Sequence, residues 1–139
     1  MKSLTLEIFN TWLEAYGRAS AEDDPQASAE LFARNAKYYE TPFDPPMVGR
    51  DAIYRYWEMG VKSFKDKEST YEILSVKGNL GIAHWVSKFT DIKSDKSFAL
   101  DCLFLVEFDN NDKCKLFREW WHLREVDSGL FEEAHHENP

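Results

Sequence analysis

The first part of the chain has apolar residues at helical spacing. They recur every four positions from Leu4 to Tyr16, which places them on one side of a helix predicted to run from Leu4 to Ala19. A short second helix is predicted to begin at Pro25, because proline suits a first helical position. Asn35 is expected to break that helix. The apolar positions of the predicted second helix are Ala29, Leu31, Phe32 and Ala33.

The segment from Tyr38 to Trp57 has the densest turn signals. Three prolines within five residues each fix φ and remove a backbone donor, so the chain must turn there; they are Pro42, Pro45 and Pro46. A brief strand, Ala36–Glu40, is predicted before this corner. A third helix is predicted after it, with Asp51 in its first turn. Glu40 therefore lies where a strand ends against a rigid corner.

Beyond a charged link, Lys62–Lys67, the periodicity changes from helical to alternating. Four runs separated by turn residues read as strands: Ser69–Val76, Leu80–Asp91, Phe98–Asp109 and Lys113–Glu125. Helices followed by an antiparallel meander predict an α+β domain with the helices on one face of the sheet. We expect one domain over residues 1–127 and a polar, disordered tail over residues 128–139. A strongly curved sheet would leave a pocket between its concave face and the helices.

Composition narrows the function classes. The formal net charge of -8 disfavours nucleic acid and anionic membrane surfaces as partners. The opening residues contain no long apolar core, so neither a signal peptide nor a membrane helix is predicted, and the cytoplasm is the expected location. Cys102 and Cys114 lack CxxC spacing and are interpreted as buried thiols. We predict no metal and no cofactor, since the chain has no ligand cluster and no glycine-rich phosphate loop.

The order of these elements and two motifs, LFARNAKYYETPFDPPMVGRDAI and LDCLFLVEFDNNDKCKLFREWW, resembles the nuclear transport factor 2-like (NTF2-like) superfamily. The nearest likeness is to its SnoaL-like and ketosteroid-isomerase-like branch, and it covers the chain from Leu6 to Arg124. The resemblance implies a cone-shaped, curved antiparallel sheet packed on three N-terminal helices, as in cystatin-like folds. Because the superfamily includes both enzymes and non-catalytic binding modules, the fold implies little about the chemistry.

The resemblance also implies roles for single residues. Tyr16 matches the oxyanion-hole tyrosine of the isomerases. Their general base falls on Glu40 or on Thr41, depending on how the shortened corner is aligned. Their second oxyanion donor falls on Phe104, which argues against steroid isomerase activity itself.

In the last strand, the resemblance places Phe117, Glu119 and Trp121 inward. A carboxyl beside Trp121 would be desolvated, which raises its pKa and suits it to general acid–base work near neutral pH. If Glu40 also faced inward, one of the two carboxyls would be held protonated by the other. Tyr16 could then donate to a carbonyl or a developing enolate.

Each of these candidate catalytic residues also has a purely structural interpretation. Glu119 could pair with Arg50 or lie at the rim, Glu40 could be a solvated acid, and Tyr16 could be a core residue like most buried aromatic side chains. The tryptophans could likewise be packing residues.

The predicted function is the binding of a small apolar molecule. One reading is a cofactor-independent isomerase, dehydratase or hydrolase with Glu119, Glu40 and Tyr16 as catalytic residues. The alternative is a non-catalytic ligand-binding or dimerisation module of the same superfamily. The predicted ligand contacts are mostly aromatic: Trp12, Phe43, Trp57, Trp85, Cys102, Phe104, Phe117 and Trp121.

A second set of polar residues is predicted on the outer face of the sheet. In the run Phe98–Asp109, strand alternation directs Cys102, Phe104 and Val106 toward the core. The same alternation places His84 and Asp101 on the outer face, beside His122 and Trp120. The resemblance implies that this face pairs two subunits, so we expect a homodimer interface rather than a catalytic His–Asp pair in the cavity.

Overall fold

The computed structural model describes residues 3–126, and the predicted tail over residues 128–139 lies outside them. Within residues 3–126 the chain forms three helices and six strands: α1 Leu6–Ala21, α2 Pro25–Glu30, β1 Phe32–Tyr39, β2 Met47–Val48, α3 Arg50–Ser63, β3 Phe64–Lys77, β4 Leu80–Asp91, β5 Ser97–Phe108 and β6 Cys114–Val126. No helix in this part of the chain is both long and apolar enough to cross a membrane.

Helix α1 begins two residues later than predicted because Thr5 caps it. The Thr5 hydroxyl accepts a hydrogen bond from the Ile8 amide at 3.1 Å and satisfies one free donor of the first turn. The apolar stripe is buried as predicted, with Trp12 and Tyr16 each 4% exposed. Helix α1 therefore presents both rings to the sheet.

The predicted second helix is too long. Helix α2 ends at Glu30, and β1 begins at Phe32 and continues through Asn35. The Cys114 amide donates to the Leu31 carbonyl at 3.0 Å, and Phe32 pairs with Cys114 in a parallel ladder between β1 and β6. Pairing with a strand 82 positions further along the chain (114 minus 32) overrides the local helical pattern.

The predicted charged link at residues 62–67 is also wrong. Helix α3 extends to Ser63 and β3 starts at Phe64 without an intervening loop. Phe64 pairs with Asp91, and Lys65 pairs with Thr90. Charged side chains hide the alternation here because β3 is an edge strand, where such residues are common.

The six strands form one sheet in the order β2-β1-β6-β5-β4-β3. Strands β3 to β6 are an antiparallel meander as predicted, whereas β1 pairs with β6 in parallel. The sheet is curved and unclosed, which confirms the predicted α+β cone. The predicted inward side of β5 is correct, since Cys102, Phe104 and Val106 are each at most 2% exposed.

Gly81 allows α1 to lie close to the sheet. A Cβ atom at this position would lie 2.5 Å from the ring of Phe9, a residue of α1 that is completely buried. Only a residue without a side chain fits this contact. The close approach fixes the height of Tyr16 above the sheet.

Candidate functional site

A cavity of about 480 Å³ lies between the helices and the concave face of the sheet. Its wall is formed by α1, β1, α3 and β3 to β6. At one end the wall is closed, since Tyr38 is 1% exposed and Glu119 is 7% exposed. At the other end Met59 and Leu123 are 67% and 47% exposed. The cavity therefore opens to solvent beside Leu123, and Glu119 lies at its closed end.

Glu119 is the buried carboxyl of this cavity. It stands opposite Phe104 in the β5–β6 ladder, and Tyr38 Oη donates to its Oε2 at 3.5 Å. No cation forms an ion pair with it among residues 3–126; Arg50 Nε instead donates to the Phe32 carbonyl at 2.8 Å. The pKa of Glu119 is raised to about 8, chiefly by burial and then by the charge of Glu40, while the hydrogen bond from Tyr38 lowers it in part. Glu119 is mostly protonated at neutral pH.

Two phenols extend this acid into a short hydrogen-bonded chain. Tyr16 Oη lies 3.1 Å from Tyr38 Oη, which in turn contacts Glu119. Burial, followed by the charge of Glu119, raises the pKa of both tyrosines well above the usual range. Both phenols therefore stay neutral and can donate. Tyr56 adds a third phenol to the same wall, and its pKa is raised by burial and then by the charges of Glu119 and Glu40.

Tyr38 and Tyr56 were not predicted as site residues from the sequence. Tyr38 shares a strand face with Glu40, and Tyr56 belongs to the buried side of α3. A buried tyrosine usually needs a partner for its hydroxyl group, which was the available signal. What could not be read from the sequence is that three elements bring their phenols to one carboxyl.

The structure decides between Glu40 and Thr41. Glu40 follows the end of β1 and lines the cavity, whereas Thr41 Oγ1 donates to Asp44 Oδ2 at 2.8 Å within the corner. Trp121 Nε1 donates to the Glu40 carbonyl at 3.0 Å and joins the corner to β6. The two carboxyls thus share one wall, and Glu40 is the more exposed of the pair.

Five of the eight predicted ligand contacts line the cavity: Trp57, Trp85, Cys102, Phe104 and Trp121. The other three do not. Phe43 is 96% exposed on the corner, because the turn held by Thr41 and Asp44 directs it to solvent. Trp12 donates from Nε1 to the Leu31 carbonyl at 3.0 Å within the core, and Phe117 is completely buried. Phe117 lies stacked on Tyr16 and Tyr38 and supports them from below.

The cysteines do not form a reactive pair. Cys102 and Cys114 are free and buried, and burial raises the pKa of each thiol well above its usual value. Raised thiol pKa values disfavour the nucleophilic thiolate. Among residues 3–126, no three His, Cys, Asp or Glu side chains are grouped so as to bind a metal ion.

The outer face of the sheet carries a separate polar cluster. His84 Nε2 lies 2.8 Å from Asp101 Oδ1, and His84 Nδ1 lies 3.5 Å from Glu72 Oε1. The hydrogen bond with Asp101 raises the pKa of His84. His122 stands opposite Asp101 in the β5–β6 ladder. None of these side chains lines the cavity, so the strand alternation predicted their orientation correctly.

Comparison with known families agrees with this architecture. The family model described as a SnoaL-like domain matches residues 13–117. The matched stretch includes Tyr16, Glu40 and Phe104 and ends two residues before Glu119. No curated protein matches the chain. Because the family match spans more than half of the sequence, the chain belongs to the SnoaL-like domain family of the NTF2-like superfamily.

Proposed function

We propose that this protein binds a small apolar molecule in its cavity and that Glu119 acts on that molecule as a general acid and base. The observation that carries the proposal is a carboxyl buried at the closed end of an open, mainly aromatic cavity, with a phenol as its only hydrogen-bond partner among residues 3–126. Groups placed in this way often have catalytic roles.

The chemistry follows from the protonation of Glu119. In its acid form the carboxyl has an O–H to donate, and a ligand carbonyl in the cavity can accept it. In its ionised form Glu119 can remove a proton from the carbon next to such a carbonyl. The electron pair of the broken C–H bond then forms an enolate, which the phenol chain of Tyr16 and Tyr38 can stabilise. Return of the proton from Glu119 to a different carbon gives isomerisation. Transfer of that proton to a β-hydroxyl group, which then leaves as water while the enolate electrons form the C=C bond, gives dehydration.

Proton exchange in deuterated water tests this step without knowledge of the natural substrate. We expect the wild-type protein to exchange the α-protons of some small hydrophobic ketones or lactones, followed by nuclear magnetic resonance. Glu119→Gln should slow the exchange by about 100-fold or more, because it removes the base. Glu125→Gln, on the exposed part of the same strand, is the matched control. Equal exchange rates in the wild type and Glu119→Gln would refute the proposed role.

A non-catalytic binding module is the second candidate. It is favoured by Phe104, since the family resemblance implies that this residue stands at the isomerases' second oxyanion donor and a phenyl ring has no hydrogen bond to donate. A module of this kind would bind the same compounds with no exchange in the wild type. Glu119→Gln would then change affinity alone, so binding and exchange measured on the same samples separate the two functions.

We also propose that the outer face of the sheet pairs two copies of the chain. Leu103 and Trp120 stand opposite each other in the β5–β6 ladder and are 38% and 43% exposed. The charged cluster around His84 lies beside them, giving the mixed apolar and polar character of many interfaces. Light scattering should show a dimer that Trp120→Glu dissociates. Leu6→Glu, on the exposed side of α1, should leave the dimer intact. A monomeric wild type would contradict this pairing.

We place the protein in the cytoplasm as a proposal. Its two free thiols support a reducing compartment, since disulfides are rare there. Fractionation of cells that express the tagged chain tests this location.

A further inference from the structure

Four serine side chains line the cavity, each from a different helix or strand. Ser20 comes from α1, Ser63 from the end of α3, Ser69 from β3 and Ser87 from β4, and we call this group the serine collar. None of the four hydroxyl groups has a hydrogen-bond partner among residues 3–126. Ser69 and Ser87 stand opposite each other in the β3–β4 ladder. Ser63 lies further along the cavity, because its carbonyl accepts from the amide of Ile92, five positions after Ser87. Four elements thus supply the cavity wall with hydroxyl groups that have no partner among residues 3–126.

The charges around the serine collar cancel. Lys67 Nζ lies 2.6 Å from Asp23 Oδ1, and the lysine side chain is only 15% exposed. Glu68 stands opposite Lys88 in the β3–β4 ladder. Two positive groups are therefore matched by two negative groups. A neutral hydrogen-bonding group suits this collar better than a carboxylate, which would add an unmatched negative charge beside Asp23 and Glu68.

The strand register gives the distance between the serine collar and the catalytic end. Ser87 pairs with Leu100, and Leu100 pairs with Leu123. Leu123 lies four residues after Glu119 on β6, which corresponds to about 13 Å along the strand. The row between these two levels consists of Trp85, Cys102 and Trp121, none of them charged. The cavity is therefore polar at both ends and apolar in the middle.

The volume of the cavity indicates a slender occupant. About 480 Å³ accommodates about 16 non-hydrogen atoms if each takes the volume of a liquid water molecule, about 30 Å³. Spread over about 13 Å or more, these atoms form a chain or a narrow fused-ring body rather than a compact group. The stacked rings of Trp85 and Phe104, 5.2 Å apart between centroids, form part of the apolar wall beside it.

We propose that the ligand is an elongated neutral molecule with a carbonyl group at Glu119, an apolar middle, and a hydroxyl group at the serine collar. This inference rests on the proposed function, because it assigns the ligand class of the same cavity. The serine hydroxyl groups have no protein partners, so they can bond to the second polar end of the ligand. The serine collar is therefore a specificity-determining subsite.

Three probes of equal chain length test it: methyl octyl ketone, its ω-hydroxy analogue and its ω-carboxylate analogue. Dissociation constants come from quenching of tryptophan fluorescence and from calorimetry. We expect the hydroxy ketone to bind about 3- to 10-fold more tightly than the plain ketone, as expected for one or two net hydrogen bonds. The carboxylate should bind no more tightly than the plain ketone.

The double variant Ser69→Ala/Ser87→Ala should remove the advantage of the hydroxyl group and leave the affinity for the plain ketone nearly unchanged. Ser75→Ala, on the same strand but exposed outside the cavity, is the matched control and should retain the advantage. Equal binding of ketone and hydroxy ketone, or an advantage that survives the double variant, overturns the collar alone. A carboxylate that binds most tightly overturns its neutral character. Failure of all three probes to bind overturns the proposed function as well.

Discussion

Replacing Glu119 by glutamine removes an acid that the folded protein keeps protonated. Because burial raises the pKa of Glu119 from its ordinary 4.5 to about 8, the folded state holds this proton more tightly than the unfolded state. Its contribution to the free energy of unfolding is therefore complete below about pH 4.5 and is lost as the pH rises through about 8. The difference between the two pKa values corresponds to about 5 kcal/mol, of which about 4 kcal/mol is lost between about pH 5 and pH 9.

Urea unfolding followed by tryptophan fluorescence measures this loss. We expect the free energy of unfolding of the wild type, relative to Glu119→Gln, to fall by about 4 kcal/mol over this interval. The comparison with glutamine cancels the titration of the other groups because the side chains have the same shape. Glu125→Gln, with an exposed side chain that lies 3.6 Å from Lys96, should follow the wild type within about 0.5 kcal/mol.

Parallel pH profiles for the wild type and Glu119→Gln would refute the desolvation argument. They would mean that water reaches the closed end of the cavity and restores an ordinary pKa to Glu119. Tyr38→Phe adds a second check. Since the bond from Tyr38 lowers the pKa of Glu119, its removal should move the loss of stability to higher pH.

Three glycine substitutions extend these predictions. Gly81→Ala should lower the free energy of unfolding by about 1–3 kcal/mol, because its Cβ would lie 2.5 Å from the Phe9 ring in a packed core. Urea unfolding tests it, and a stability equal to that of the wild type would contradict the close contact. Gly60→Ala should raise the free energy of unfolding by about 0.5–1 kcal/mol, since no atom lies within 4 Å and alanine favours a helix. Gly17→Ala should raise the free energy of unfolding by less than Gly60→Ala does, because its Cβ would lie 3.1 Å from the Trp85 ring. It should also change the tryptophan fluorescence emission, since Trp85 is part of the cavity wall. Equal increases in the free energy of unfolding for Gly60→Ala and Gly17→Ala would show that the Trp85 ring moves away from the new Cβ without cost.

Much of the fold follows from local patterns. The stripe of α1 and the alternation of β5 predicted which side chains are buried, because helical and strand periodicities depend on neighbouring residues only. The proline corner likewise placed Glu40 at the end of β1. The predictions failed at Phe32 and at Phe64, where pairing with distant strands decides the conformation.

The candidate site was likewise predictable in part, and its contacts between distant residues were not. Glu119 was identified as an inward carboxyl from the family resemblance and the alternation of β6. The family resemblance also matched Tyr16 to an oxyanion donor. Neither could show that Tyr38 links the two, because that contact joins residues 81 positions apart and depends on how β1 and β6 align. Phe43 illustrates the reverse error, since an aromatic side chain in a turn has no periodicity that reveals its direction.

The sequence by itself determined the α+β class, the buried faces of α1 and β5, and an acid that resembles a catalytic group. It did so because burial leaves a periodic trace in the order of apolar residues. The tertiary structure alone decided that Glu119 has no cationic partner among residues 3–126, that a chain of two phenols leads to it, and that Ser69 and Ser87 pair at the level of Leu123, about 13 Å along β6 from Glu119. Each of these depends on the register of strands and on the height of α1 above the sheet, and no local pattern records those two quantities.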